Sequence, residues 1–100
     1  MNEELLLSLL KLDLGITHNL RDAYFISKLE SAQEEMEIMG VVFDLDRSDD
    51  QMLIADYAAY SYRNRQNNVP LSRSIQFRIN NRLIKKAGNI DAITKIKLGE

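Results

Sequence analysis

The stretch LRDAYFISKLESAQEEMEIMG, residues 20–40, decides the fold. Phe25, Leu29, Ala32, Met36 and Met39 recur at steps of four and three, the spacing that stacks side chains on one face of an α-helix. Glu30, Glu34, Glu35 and Glu37 take up the remainder, so the spacing predicts a helix over about Leu20–Met39 with one apolar and one strongly acidic side. Gly40 offers the left-handed conformation that ends a helix. Glu30 and Glu34 stand one turn apart and repel by roughly 0.2–0.5 kcal/mol unless a basic group lies opposite.

Upstream, a short helix is expected over about Glu3–Leu12, with Asn2 as its cap, Leu5, Leu6, Leu9 and Leu10 on one side and Leu12 nearby. Gly15 stops it, and Thr17 or Asn19 is placed to cap the long helix that follows. Downstream, Val41–Asp46 alternates apolar and acidic residues. No second strand is available for pairing, so this reads as a loop with Phe43 and Leu45 tucked under the bundle. Ser48, with Asp49, Asp50 and Gln51 after it, has the form of a capping box, and the aspartates suit the positive end of a helix.

The third helix, about Asp49–Gln66, presents Met52, Leu53, Ala55, Ala58 and Ala59 for close approach of neighbours. Tyr57, Tyr60 and Tyr62 project in different directions, and at least one should meet the surface or a buried partner. Arg63 and Arg65 complement the dipole at its C-terminal end. Asn67, Asn68, Val69 and Pro70 form a turn. Ser72 then caps a fourth helix reaching about Ala87, with Leu71, Ile75, Ile79 and Leu83 as its buried stripe and Arg78, Arg82, Lys85 and Lys86 as a basic flank. Gly88 is expected to end it. The remaining segment carries Ile90, Ile93, Ile96 and Leu98, apolar residues that call for a fifth short helix or an arm for a partner. The fold class is therefore all-α: a compact bundle of about four helices over residues 1–88, with a C-terminal tail over residues 89–100.

Composition narrows the function. One hundred residues at 45% apolar content suffice for one core and leave little room for a deep catalytic cleft. Cysteine is absent, which excludes disulfides and thiolate metal sites. The acidic Met-Asn-Glu-Glu opening is unlike a signal peptide, and no apolar run approaches the ~20 residues that span a bilayer, so a soluble protein with no membrane partner is expected. Net charge is only -2, yet residues 1–60 hold 4 Lys and Arg against 13 Asp and Glu, and residues 61–100 hold 9 against 2. Two readings follow: the halves fold together and neutralise internally, or copies pack acidic side to basic side, as heterologous contacts in rings do.

No motif points to catalysis, a cofactor or a metal. His18 is the lone histidine and supports no triad. The run DLDRSDD lacks the glycine and terminal glutamate of a calcium loop and is better explained as a helix start. The 4 glycines stand singly, so no phosphate-cradling loop exists. The segment SRSIQFRINNRLIKK has the Arg, Gln and Asn content of a recognition helix, which keeps open a small helix-turn-helix DNA-binding regulator using residues 72–87. The acidic second helix argues against it.

The stretch MLIADYAAYSYRNRQNNVPLSRSIQFRINNRL, residues 52–83, resembles the signature region of the small head-tail connector proteins of tailed bacteriophages, also called head-completion or adaptor proteins. In that family an aromatic and alanine-rich helix ends in a Tyr-Arg-x-Arg-like run, here Tyr62–Arg65, and a turn leads to a helix with an Asn-Asn-x-Leu-like run, here Asn80–Leu83. The opening LLLSLLKLDLGIT and the acidic long helix fit the same order. The resemblance implies a non-enzymatic virion subunit, made in the bacterial host cytoplasm. It would form a ring, usually of twelve copies, in the neck between the portal protein and a downstream neck or tail protein, and pass genomic DNA without sequence specificity. The expected subunit interface sets Glu30, Glu34 and Glu37 of one copy against Arg78, Arg82 and Lys86 of the next. Ile90, Ile93, Ile96 and Leu98 are the expected portal contacts. An adaptor domain of host origin with no phage role is a further alternative.

Overall fold

A computed structural model describes residues 3–67 and 69–97, with side chains as far as residue 85. It contains α1 (Glu3–Leu14), α2 (Asp22–Ile38), α3 (Ser48–Arg63) and α4 (Arg73–Lys97). There is no strand among the described residues, and the all-α expectation holds. The cap expected at Asn2 lies outside the described residues.

Two glycines set the first two corners. Gly15 (φ 73°) and Gly40 (φ 110°) both adopt the left-handed conformation. In each corner the glycine N–H and the next N–H turn back onto the helix: Gly15 and Ile16 donate to Leu12 and Lys11, and Gly40 and Val41 donate to Glu37 and Met36. These are the paired bonds that satisfy otherwise orphaned carbonyls at a helix end. Val41 follows the second corner into the core, and Gly40 lies so near α4 that a Cβ there would meet Leu83 Cδ2 at 3.3 Å. A side chain at position 40 would thus strain the turn and press on the Leu83 side chain.

The core lies where α1, α2 and α3 converge, and α3 is the shared wall, packing against each of the other three helices. Leu6 and Leu10 enter from α1, Phe25, Leu29, Ala32 and Met36 from α2, and Leu53, Ile54, Tyr57, Ala58 and Ala59 from α3. The alanines at 55, 58 and 59 are buried and small enough to let neighbouring helices approach α3 closely. Each fully buried Leu, Phe or Met contributes about 1.5–3 kcal/mol relative to exposure, so these stripes supply the main drive to fold. Phe43 and Leu45 pack against this cluster from the loop after α2, as the tucked-loop reading expects. Leu12 is 80% exposed and Met39 44%: α1 turns Leu12 outward, and α2 has already ended at Ile38 before position 39 could rejoin its stripe.

The polar clamps join helix ends. Lys11 Nζ donates to Asn19 Oδ1 and Asp22 Oδ1, both at 2.8 Å, tying α1 to the start of α2. Arg63 donates to the Asp13 carbonyl at 2.8 Å and pairs with its carboxylate at 3.0 Å, so this arginine serves the C-terminal end of α1. Arg65 bonds the Tyr62 carbonyl at the end of its own helix and stacks 4.1 Å above the Tyr62 ring. Tyr62 meets Phe25 edge to face, with ring centres 5.2 Å apart, and joins the end of α3 to the start of α2.

Three expected boundaries are corrected. Neither Thr17 nor Asn19 caps α2: Arg21 precedes it with no side-chain cap bond, and the Asn19 oxygen is engaged by Lys11. Ser48 is already helical, and Arg47 stands at the cap position. The capping box does not close, because Asp50 Oδ2 reaches back to the Asp44 N–H at 2.8 Å and Gln51 Nε2 donates to the Leu45 carbonyl at 2.7 Å. Gly88 does not end the last helix, since α4 runs on to Lys97; a glycine inside a helix costs only about 1 kcal/mol relative to alanine. The expected Ser72 cap is present, its Oγ accepting from the Ile75 N–H at 3.2 Å. At about 1.5 Å per residue, the 25 residues of α4 help give the molecule its 58 × 29 × 18 Å extents.

Candidate interaction surface

Ile75 and Ile79 are buried against the body, and Leu71 and Leu83 pack at the edge of the same stripe. This fixes the rotation of α4. Arg78 and Arg82 flank the stripe and are drawn towards α3, where Arg78 Nη1 meets Asp56 Oδ2 at 2.7 Å. Arg82 grips Asp50 Oδ1 with Nε at 2.9 Å and Nη2 at 2.7 Å, and also lies 3.5 Å from Asp49. Asp50 is the one buried charged residue among those described, 7% exposed. Its two oxygens hold Arg82 and the Asp44 N–H, which makes it the joint between the 41–47 loop, α3 and α4.

The two arginines expected at a subunit interface thus make their ion pairs within the chain. Lys86 lies in α4 and its side chain is outside the described residues. The same holds for Ile90, Ile93 and Ile96, while Leu98 lies wholly outside them.

The three glutamates are placed differently. Glu30, Glu34 and Glu37 are all exposed, and no cation lies within 4 Å of any of them among the described residues. The buried stripe of α2 fixes this, since positions 30, 34 and 38 fall on the opposite side from 25, 29, 32 and 36. Glu35 turns inward to accept from the Tyr57 hydroxyl at 2.7 Å. Burial of the ring, then this bond and the charge of Glu35, push the Tyr57 phenol up to about 12.

Sequence reasoning missed the outward side of α4. Phe77 is 65% exposed and Ile84 68%. Seven residues apart, they share one side of the helix, facing away from Ile75 and Ile79. Their signal was present in the sequence, as two large apolar residues out of phase with the Ile75–Ile79–Leu83 period. Arg73, Gln76, Asn80, Asn81 and Lys85 are exposed around them.

Elsewhere the surface has shallow features. A hollow of about 290 Å³ is lined by Lys28, Glu35, Tyr57, Tyr60, Asn64 and Arg65 among others, but its central groups bond one another or the backbone: Tyr57 to Glu35, Tyr60 to the Pro70 carbonyl and Asn64 to the Tyr60 carbonyl. His18 is exposed and its Nδ1 accepts from the Leu20 N–H. Among the described residues no group of His, Asp and Glu is arranged to hold a metal ion, and no helix is long and apolar enough to cross a membrane. Comparison with protein-family models, with curated proteins and with solved structures finds no match to this chain.

Proposed function

We propose that this chain is a non-enzymatic structural subunit that assembles with copies of itself into a ring, and that the ring is the head-tail connector of a tailed bacteriophage. It would sit beneath the portal protein, extend the DNA channel and offer a docking surface to the next neck or tail protein. One observation carries the self-assembly part: α2 presents three exposed carboxylates with no cation within 4 Å among the described residues, on a molecule whose basic residues are concentrated in the other half of the chain. Ion pairs at such an exposed face are worth only about 0–1 kcal/mol each, so their role is to set register and partner while apolar contacts supply affinity. The phage assignment is supported by the resemblance of residues 52–83 to the connector signature. Within this reading Arg78 and Arg82 contribute less to the contact than their sequence suggests, because Asp56 and Asp50 already occupy them. Electron microscopy of the purified chain mixed with the portal encoded beside it tests the proposal: a ring seated on the portal is expected, and a portal that stays bare refutes it.

A second reading, the DNA-binding regulator, draws on one observation: Arg73, Gln76, Asn80 and Asn81 are exposed along α4, and such groups can hydrogen-bond base edges. A gel shift at moderate salt decides between the two, a specific complex favouring the regulator and its absence the connector.

A further inference from the structure

The outward face of α4 combines charge with exposed apolar surface. Phe77 and Ile84 stand two turns apart, with Asn80 and Asn81 between them and Arg73 and Lys85 towards either end. Neither Arg73 nor Lys85 has an anion within 4 Å among the described residues. A phenylalanine and an isoleucine held in line on a rigid helix gain by being covered. The outward face of α2 has the complementary make-up: Glu30 and Glu34 are exposed, and Ile38, one more step of four along the same strip, is 86% exposed.

We infer that these two faces bind each other between copies, with the α2 strip of one molecule on the α4 strip of the next. Glu30 and Glu34, about 6 Å apart along α2, both meet the cation at one end of the α4 strip, Arg73 or Lys85, which lie about 18 Å apart, and Ile38, a further turn along, then helps cover Phe77 and Ile84. The inference rests on the self-assembly reading above and names the surfaces that meet. Charge selects this pairing over the others open to identical copies, because α2 on α2 sets glutamates against glutamates and α4 on α4 sets cations against cations. A nucleic acid on α4 could pair with the cations, yet its phosphates would give Phe77 and Ile84 no apolar cover. Two different surfaces joined in this way make a heterologous contact, which every copy can repeat until a ring closes. The contact of two helix faces is small, so the open-chain affinity is modest and closure reinforces it.

The test uses two variants of the full chain, E30K/E34K and F77D/I84D. All four positions are exposed, so both variants should keep the wild-type far-UV circular dichroism and unfolding midpoint. By sedimentation velocity, the wild-type chain is expected to form oligomers, and each variant alone to associate at least tenfold more weakly. Mixed one to one, the variants keep one native contact between them and should associate more strongly than either does alone. Self-association of F77D/I84D at wild-type strength overturns the inference. So does a stable homodimer of E30K/E34K, which would mean that α4 pairs with itself, and so does a mixture that stays monomeric. A wild-type chain that is monomeric at every concentration also overturns the contact as drawn. The ring reading is judged separately by the micrographs with the portal, and it survives if rings form there with both variants.

Discussion

Two acidic groups in this molecule look alike in sequence and behave differently in the fold. Asp49, Asp50 and Asp56 belong to α3, and all three lie within 4 Å of an arginine of α4 or of the loop before α3. Glu30, Glu34 and Glu37 belong to α2 and are exposed, with no cation within 4 Å among the described residues. The aspartates sit on the wall that α4 covers, and their short side chains can be held rigidly between elements. The glutamates sit opposite the buried stripe of their helix, on its exposed side. Internal neutralisation therefore accounts for part of the charge segregation, at α3, and among the described residues it does not extend to the acidic face of α2.

The sharpest way to break this comparison is Asp50→Ala. It leaves Arg82, whose side chain is 19% exposed, without its main partner and removes the acceptor of the Asp44 N–H. Arg82 keeps Asp49 at 3.5 Å and the Arg78 carbonyl at 3.0 Å, so a loss of about 2–3 kcal/mol is expected, read as a lower urea midpoint at unchanged slope. Arg78→Ala removes a part-buried pair and should cost about 1 kcal/mol in the same assay. Tyr57→Phe removes one bond to Glu35 and should cost about 1 kcal/mol at neutral pH.

Tyr57 also gives the comparison a pH axis. With its phenol raised to about 12 in the fold, the unfolded chain releases that proton first, near its ordinary value of about 10. The contribution is whole below that value and is lost as pH rises towards 12. Wild type should therefore lose stability more steeply than the Phe variant over that interval, and ultraviolet titration should show one late-ionising tyrosine that the variant lacks. The smallest effect is predicted for Glu34→Lys, within about 0.5 kcal/mol of wild type in monomer stability. A large loss there would place the acidic face inside the fold's own electrostatics and remove the contrast with α3.

What could be read from sequence was what is local. The stripes Phe25–Leu29–Ala32–Met36 and Ile75–Ile79 follow from helical period, and the corners at Gly15 and Gly40 follow from the freedom of glycine to adopt positive φ. The caps at Thr17, Asn19 and Ser48 were misread because side chains from other turns compete for the same groups: Lys11 for Asn19, and Asp50 and Gln51 for the loop backbone. Gly88 was misread because a helix can absorb one glycine when flanking residues favour it. The Arg78–Asp56 and Arg82–Asp50 pairs join positions 22 and 32 residues apart. No period in the sequence announces them, so the arginines read as a free basic flank. Phe77 and Ile84 could have been noticed, since large apolar residues out of phase with a buried stripe must lie outside the core.

The placement of α3 as the wall shared by the other three helices has a kinetic consequence. Short connections bring each helix onto that wall with little chain entropy lost in closure, and helical domains with such local connectivity refold in microseconds to milliseconds. Diffusional association of two specific patches proceeds at roughly 10⁵–10⁷ M⁻¹s⁻¹, which at about 1 µM means tenths of a second to many seconds per productive meeting. Newly made copies would finish folding well before they find one another, and the pace of any assembly would follow concentration.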